Sequence, residues 1–555
     1  MKNSVNDAAG QTELNASYAQ ASPQHSVPAL FHPPDGRKLG KTVPTLLAAI
    51  VIMLSAACGG EEEEEASDSS SSSEVVYSNL IEEACSTKNP EKLKQSIGVE
   101  FTLASNATLV CKYIKTDGND GSAGDSWASA WGIGTLRGLG KAADATNDPG
   151  DASDAKYYLY LVKAGTYKPT DAAAPTSAER DISFNLKNYV AVYGGWSGDG
   201  FQSGGETVLS GNIGSYDVSN DNSRHVLSTS NLVRSAVLAK VTVTKGNAIG
   251  VTANELTGAG MQNTNSSPAL YSVTFSDNLA GDGGAIYNSN SSPALYGVTF
   301  SGNGARYGGA MYNSGSSPML FGAVFSGNYG AFGTAMYNYS SSAPVLFGST
   351  FIANFLTDNA ADTGAAIYNS NSSFTVFGST FYGNHSSGFN KPSVLYHDGN
   401  GAQNAVMIAN SIFYGNTTPQ YSIATGGADV EKINIVYSIF EGGVGGIGGD
   451  LSTDNALTAD AGFSLDVSAD NGGMVWTMAI NGNSQQAVNA GTHGGMDGAN
   501  FCYNSTPTGA SKTWLRMSDL ATPCNNVVEH GTDARGYSFS GLPVIGAYEL
   551  NGTAP

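Results

Sequence analysis

A unit of about two dozen residues recurs through the middle of the chain, and this repetition limits the available folds more than any other feature. Phe275, Phe300, Phe325, Phe351, Phe381 and Phe413 follow one another at 25, 25, 26, 30 and 32 residues. Asn278, Asn303, Asn328, Asn354, Asn384 and Asn416 stand three places after each of them. Tyr287, Tyr312, Tyr337 and Tyr368 mark a second strand in each unit, and Gly-rich or Ser-Ser-Pro stretches separate the strands. No unit contains a helical period. A unit this short cannot bury its own apolar face, so neighbours must stack. Short strands broken by turns give one coil of a parallel β-helix per repeat, with coils about 4.8 Å apart and like residues above like. The phenylalanines then fill the interior. The asparagine amides, which both donate and accept, satisfy one another from coil to coil at a bend.

Within Ser291 to Gly315, the strand segment PALYGVTF loses clean alternation if Leu295, Val298 and Phe300 all point inward. Gly297 is the expected site of a bend or bulge. Tyr296 is left outward, and its equivalents Tyr271, Phe321, Phe347 and Phe377 extend an external aromatic ladder. Two readings of that ladder stand. It is a surface on which sugar rings stack or a partner docks, or its aromatics cover one another and stabilise the sheet.

Residues 1–42 are polar and end in the basic cluster Arg37, Lys38 and Lys41. The apolar stretch from Val43 to Ala57 falls short of the about 20 residues of a membrane span and suits an export signal. Ser55-Ala56-Ala57-Cys58 resembles the lipobox of bacterial lipoproteins, with Ser55 where that pattern usually has an aliphatic residue. This resemblance implies cleavage before Cys58, its lipidation, and an anchor in the cell envelope; an ordinary cleaved signal or an uncleaved anchor is the alternative. Residues 58–74, with Glu61 to Glu65 and Ser69 to Ser73, read as a self-repelling extended tether. The remaining cysteines form two separated pairs, Cys85 with Cys111 and Cys502 with Cys524, which in an exported chain read as two disulfides. Their spacing does not match a zinc site. Residues 75–111 are expected as a small disulfide-bearing segment, and 112–550 as the β-helix, with its clearest repeats at 261–416.

Gly-Gly-Ala-Ile at 283–286 and Gly-Gly-Ala-Met at 308–311 alternate with Phe-Ser-Asp-Asn at 275–278 and Phe-Ser-Gly-Asn at 300–303 and 325–328. These resemble the repeats of polymorphic outer-membrane proteins. The wider chain is similar to right-handed β-helix surface proteins of the pectin-lyase-like superfamily, through GNDGSAGDSWASAW at 118–131, KAGTYKPT at 163–170, Tyr193-Gly194-Gly195 and the closing segment 532–549. The resemblance implies an all-β, single-chain right-handed parallel β-helix. Thr135 to Ala145 is expected to form a short helix over its amino-terminal coil. Proteins with these repeats are mostly surface or secreted proteins, several acting as adhesins, while other branches of the superfamily cleave acidic polysaccharides. The polymorphic proteins end in a membrane barrel; after residue 416 this sequence shows no sustained series of amphipathic strands of that kind.

Chemistry is sparse on the repeats. Between Met261 and Asn416 the charged residues are Asp277, Asp282, Arg306, Asp358, Asp362, Lys391 and Asp398, and the histidines are His385 and His397. A polysaccharide lyase needs calcium-binding carboxylates or a positive cluster with a base, and a glycoside hydrolase needs close carboxylates on one face. Asp358 with Asp362, and His530 with Asp533, give isolated pairs. Arg306, His397 and Asp398 are the first residues to mutate if an activity is found, but they are not assigned as a catalytic site. The chain carries 26 basic against 47 acidic residues, which disfavours a nucleic-acid partner. The expectation is a lipid-anchored bacterial surface protein that binds glycan or protein without catalysis, metal or cofactor. The rivals are an extracellular polysaccharide lyase or glycoside hydrolase, and a purely architectural coat.

Overall fold

Left-handed corners, four in each of the coils after Met261, Ile286 and Met311, bend the repeats into coils. In the coil after Ile286 they fall at Asn290 (φ 48°), Gly297 (φ 58°), Gly302 (φ 63°) and Gly308 (φ 64°). This conformation favours glycine and tolerates asparagine. Between corners run strands of three or four residues, such as Ile286–Ser289, Ala294–Tyr296, Thr299–Ser301 and Gly304–Tyr307. The corner at Gly297 turns the chain so that Leu295, Val298 and Phe300 are all fully buried, which resolves the broken alternation of the sequence.

In a computed structural model the described residues are 69–97, 107–137 and, with interruptions, 156–458, together with strands at 465–466, 479–480, 501–505 and 512–516. Two units divide the chain, Met1–Val75 and Val76–Pro555. Of the first, 69–75 are described as the start of helix α1 (Ser69–Thr87). The expected export signal, Cys58 and the glutamate run lie outside the described residues. Among the described residues no helix is long and apolar enough to cross a membrane.

Successive coils pair in register as four parallel sheets of 12, 11, 9 and 5 strands, called here A, B, C and D. From residue 261 to 356 the chain passes C, A, B, D and returns to C, each turn adding one strand to each sheet; among the described residues later turns add strands to C, A and B. With the strong preference of such crossovers for one hand, this is a right-handed parallel β-helix, as the repeats imply. The interior is one continuous apolar core from Ile114 to Phe440. Its spine in sheet B is the phenylalanine column, whose rings from Phe275 to Phe413 stack with centroids 4.4–5.5 Å apart. Phe440 continues it, 4.2 Å beyond Phe413.

Every asparagine of the expected column is hydrogen-bonded on both sides of its amide. Asn303 Oδ1 accepts from the backbone N–H and the Nδ2 of Asn278, at 3.2 and 3.0 Å. Its own Nδ2 donates to Phe275 O at 2.9 Å and to Asn328 Oδ1 at 3.0 Å. The pattern repeats through Asn354 and Asn384 to Asn416. A second buried column, in sheet C, joins Asn263, Asn288, Asn313 and Asn338 by amide bonds of 2.8–2.9 Å. Serines do similar work at another corner, where Ser291, Ser316, Ser342 and Ser372 hydroxyls each accept a backbone N–H from the rung before at 2.9–3.1 Å. These bonds satisfy the buried amides and backbone N–H groups they join without water.

Four boundaries differ from the sequence expectation. Ser69 to Ser73 belong to helix α1 rather than to an extended tether; helix growth is cooperative, and serine is tolerated at a helix start. Cys111 lies on the first strand of sheet A, Thr108–Ile114, so the solenoid begins within the segment assigned to a separate disulfide-bearing piece. The short amino-terminal helix α3, Ile133–Arg137, starts two residues earlier than expected, and residues 138–145 of the expected span lie outside the described residues. Asp120 fixes its start, accepting from Gly132 N, Thr135 N and Thr135 Oγ1 at 2.7–3.0 Å, and Leu136 enters the core. The parallel coils run as far as Leu457–Thr458. The strands described after them pair antiparallel, Leu465–Asp466 with Ala479–Ile480 and Phe501–Ser505 with Lys512–Arg516.

Candidate functional site

The outer face of sheet A is covered at its amino-terminal end. Ile81 and Ala84 of α1, with Leu93 of α2 (Pro90–Ile97), pack with Leu109, Tyr157, Leu159 and Leu161. The Cys85–Cys111 disulfide, with Cα atoms 5.7 Å apart, ties the helix to the first strand. Of the second expected pair, Cys502 lies on strand Phe501–Ser505 and Cys524 is outside the described residues.

The expected external ladder continues this covered face. Tyr271 departs from the expectation: it is 7% exposed and belongs to the covered cluster, because that cluster extends along sheet A as far as its strand. Tyr296, Phe321, Phe347 and Phe377 are half-buried and face outward. Tyr296 and Phe321 stack at 5.1 Å with planes 6° apart, and Phe321 and Phe347 at 5.2 Å and 7°. Phe347 and Phe377 meet at 6.3 Å with planes tilted by 55°. Such parallel stacking gives the rings mutual cover and leaves their outer edges to solvent.

A second outward column lies in sheet C. Tyr287, Tyr312, Tyr337, Tyr368 and Tyr396 succeed one another with centroids 4.9–5.2 Å apart. Beside it in sheet D stand Tyr307 and Phe332, stacked at 5.0 Å. The two columns interlock edge to face, Tyr307 against Tyr337 at 70° and Phe332 against Tyr368 at 81°. Together they form an aromatic corner along the helix axis. The sequence contained its signal, since these tyrosines keep the phenylalanine period and alternate with buried Ile286 and Asn288. Sequence alone marks them only as strand positions.

Asp282 takes the position below Tyr307 in sheet D. Burial pushes its carboxyl up to about 7, against the opposing pull of Arg306. The residue as a whole is half-buried. Arg306 lies over the Tyr307 ring, 5.0 Å from its centroid. Burial, then the charge of Asp282, raises the Tyr287 and Tyr312 phenols, and burial foremost also raises that of Tyr337. These hydroxyls stay protonated at neutral pH.

The remaining charged candidates are dispersed. Asp277 pairs with Lys245 at 2.9 Å. His397 is buried in the sheet C asparagine column, 2.9 Å from Asn369 Nδ2, and burial lowers it to about 4. Asp398 follows it on the outward side. Arg306 leads into Met311–Ser314, three rungs from Leu395–Asp398, so Arg306, His397 and Asp398 do not meet. Asp358, Asp362, Lys391, His530 and Asp533 lie outside the described residues. Among the described residues no group of three or more His, Cys, Asp or Glu side chains could hold a metal ion.

The class defined by these sheets is a right-handed parallel β-helix. No family model matches the sequence, and no curated protein matches it. Among solved structures, the pectate lyase Pel9A aligns over 81% of this chain and 98% of its own, with 13% identity and a TM-score of 0.41. XylC in complex with xylose aligns over 80% and 99%, with 7% identity and a TM-score of 0.32. A pectin methylesterase from Aspergillus niger covers 65% and 89% at 11% identity and a TM-score of 0.19. At this level of likeness none of them bears on activity.

Proposed function

We propose that this chain is a surface-displayed binding protein of the bacterial envelope, held by a lipid on Cys58, whose β-helix presents aromatic columns to a glycan or to a protein of a neighbouring or host surface. It binds without catalysis and without metal or cofactor. The observation that carries this reading is the pair of outward aromatic columns, in sheets A and C, repeated rung after rung on a rigid body. The rings are half-buried against one another, and the contiguous apolar strip formed by their outer edges is a surface of the kind that marks interaction sites. Two or more acyl chains would anchor such a body where one would not. Its net charge of -21 disfavours a nucleic-acid partner.

A polysaccharide lyase or glycoside hydrolase is the second reading, and Asp282 is the observation in its favour: a carboxyl raised to about 7 is suited to proton donation near neutral pH. Glycoside cleavage by the usual route needs a second carboxylate across the bond, and Asp277 is engaged by Lys245. The test is incubation of the full chain with glycan and surface-protein panels, scored for retention and for new reducing or unsaturated ends. Retention without new ends supports the binder. New ends at sustained turnover, abolished by Asp282→Asn, overturn it.

A further inference from the structure

The columns of sheets A and C differ chemically although they are built by the same stacking. Phe321, Phe347 and Phe377 offer only ring edges to solvent. The sheet C column is tyrosine throughout, so it adds a row of phenol hydroxyls at the pitch of the coils. Successive rings stand 4.9–5.2 Å apart. That pitch is close to the rise per sugar of an extended, equatorially linked pyranose chain. A chain laid along the axis therefore meets one tyrosine per sugar, without a growing mismatch, from Tyr287 to Tyr396. Tyr307 and Phe332 form the side wall, and Asp282 closes the end below Tyr307.

Charge decides which sugars fit. Between residues 261 and 416 the cations are Arg306 and Lys391. Arg306 lies over the Tyr307 ring and its charge already acts on the Asp282 carboxyl, and the chain as a whole is strongly acidic. A run of uronates would bring one negative charge per rung to a face with no matching run of cations. A polyhydroxylated, uncharged chain meets no such penalty, and it can pair with phenols and a carboxyl that both donate and accept.

We propose that the tyrosine column of sheet C, walled by Tyr307 and Phe332 and ended by Asp282, binds a neutral, extended pyranose chain lying parallel to the β-helix axis. This rests on the binding reading above and deepens it by naming the face and the ligand class.

The test is calorimetric titration of the full chain with cellohexaose, mannohexaose and hexagalacturonate, repeated on Tyr312→Phe/Tyr337→Phe, Tyr312→Ala/Tyr337→Ala and Tyr296→Ala/Phe321→Ala. The expected result is binding of a neutral hexasaccharide, weakened roughly tenfold by the phenylalanine pair, which removes two hydrogen-bonding hydroxyls while keeping the stack. The sheet A pair leaves that binding unchanged. Should the alanine pair unfold, the phenylalanine pair still decides the matter. Tighter binding of hexagalacturonate, wild-type affinity in the phenylalanine pair, or loss confined to the sheet A pair overturns the proposal, while the broader binding reading survives each. If the wild-type chain binds no hexasaccharide, this proposal fails, and the broader reading then stands or falls on the surface-protein panel.

Discussion

Asn303 ties three rungs together through one amide. Its replacement by alanine strands the Phe275 carbonyl and the Asn278 N–H in a dry interior. The expected loss is about 3 kcal/mol or more, since each abandoned buried group costs about 1–3 kcal/mol. Phe300→Ala removes a fully buried ring between two stacked neighbours and should cost about 3–5 kcal/mol. Urea unfolding of both variants measures these losses. Asp282 and His397 set opposing pH slopes. The carboxyl is raised in the folded state, so its contribution is fully present below the ordinary carboxylate value of 3.8 and is lost as pH rises through about 7. The imidazole is depressed, so its contribution is present above 6.5 and is lost as pH falls through about 4. Asp282→Asn should therefore raise the melting temperature at pH 8 relative to wild type, and His397→Asn should raise it at pH 5. Melting curves from pH 4 to 8 check both. The Phe and Asn columns were legible because identical residues at a fixed interval must stack. The sheet C asparagines, Asn263 to Asn338, keep the same interval but stand beside tyrosines that drew the reading to strand position alone. Asp282 was visible as a charge; its enclosure was not, because it depends on Tyr287, Tyr312 and Tyr307 arriving from other turns of the coil.

Helix α1 covers the outer face of sheet A and is closed onto it by the Cys85–Cys111 bond, which spans 26 residues. A loop of that length stabilises by about 3 kcal/mol in the chain-entropy account. Cys85→Ser/Cys111→Ser should release the helical segment before the coils unfold. Limited proteolysis then cuts first between 76 and 107, with the solenoid intact; simultaneous loss of both would show the helix to be integral to the coils. The disulfide pairing was readable from cysteine spacing. Its place on the first strand of the solenoid was not, because the long excursions between the early strands, Thr108–Ile114, Lys156–Lys163 and Val190–Trp196, hide the repeat there. Likewise the period alone places Tyr271 on the sheet A ladder, although the covered cluster extends to that rung.

One dry interior shared by all the coils underlies the outward columns, since they exist only if like positions lie directly above one another. Ser276, Ser301, Ser326, Ile352, Tyr382 and Tyr414 are successive register partners on the outer face of sheet B. At about 4.8 Å per rung, spin labels at Ser276 and Tyr382 stand four rungs apart and those at Ser276 and Tyr414 five. Pulsed electron spin resonance on the full chain should give narrow distributions near 19 Å and 24 Å for the two pairs, allowing for label length. Broad distributions, or a second distance that does not exceed the first by about one rung, would contradict the stacked coil and remove the surface on which the binding proposal rests.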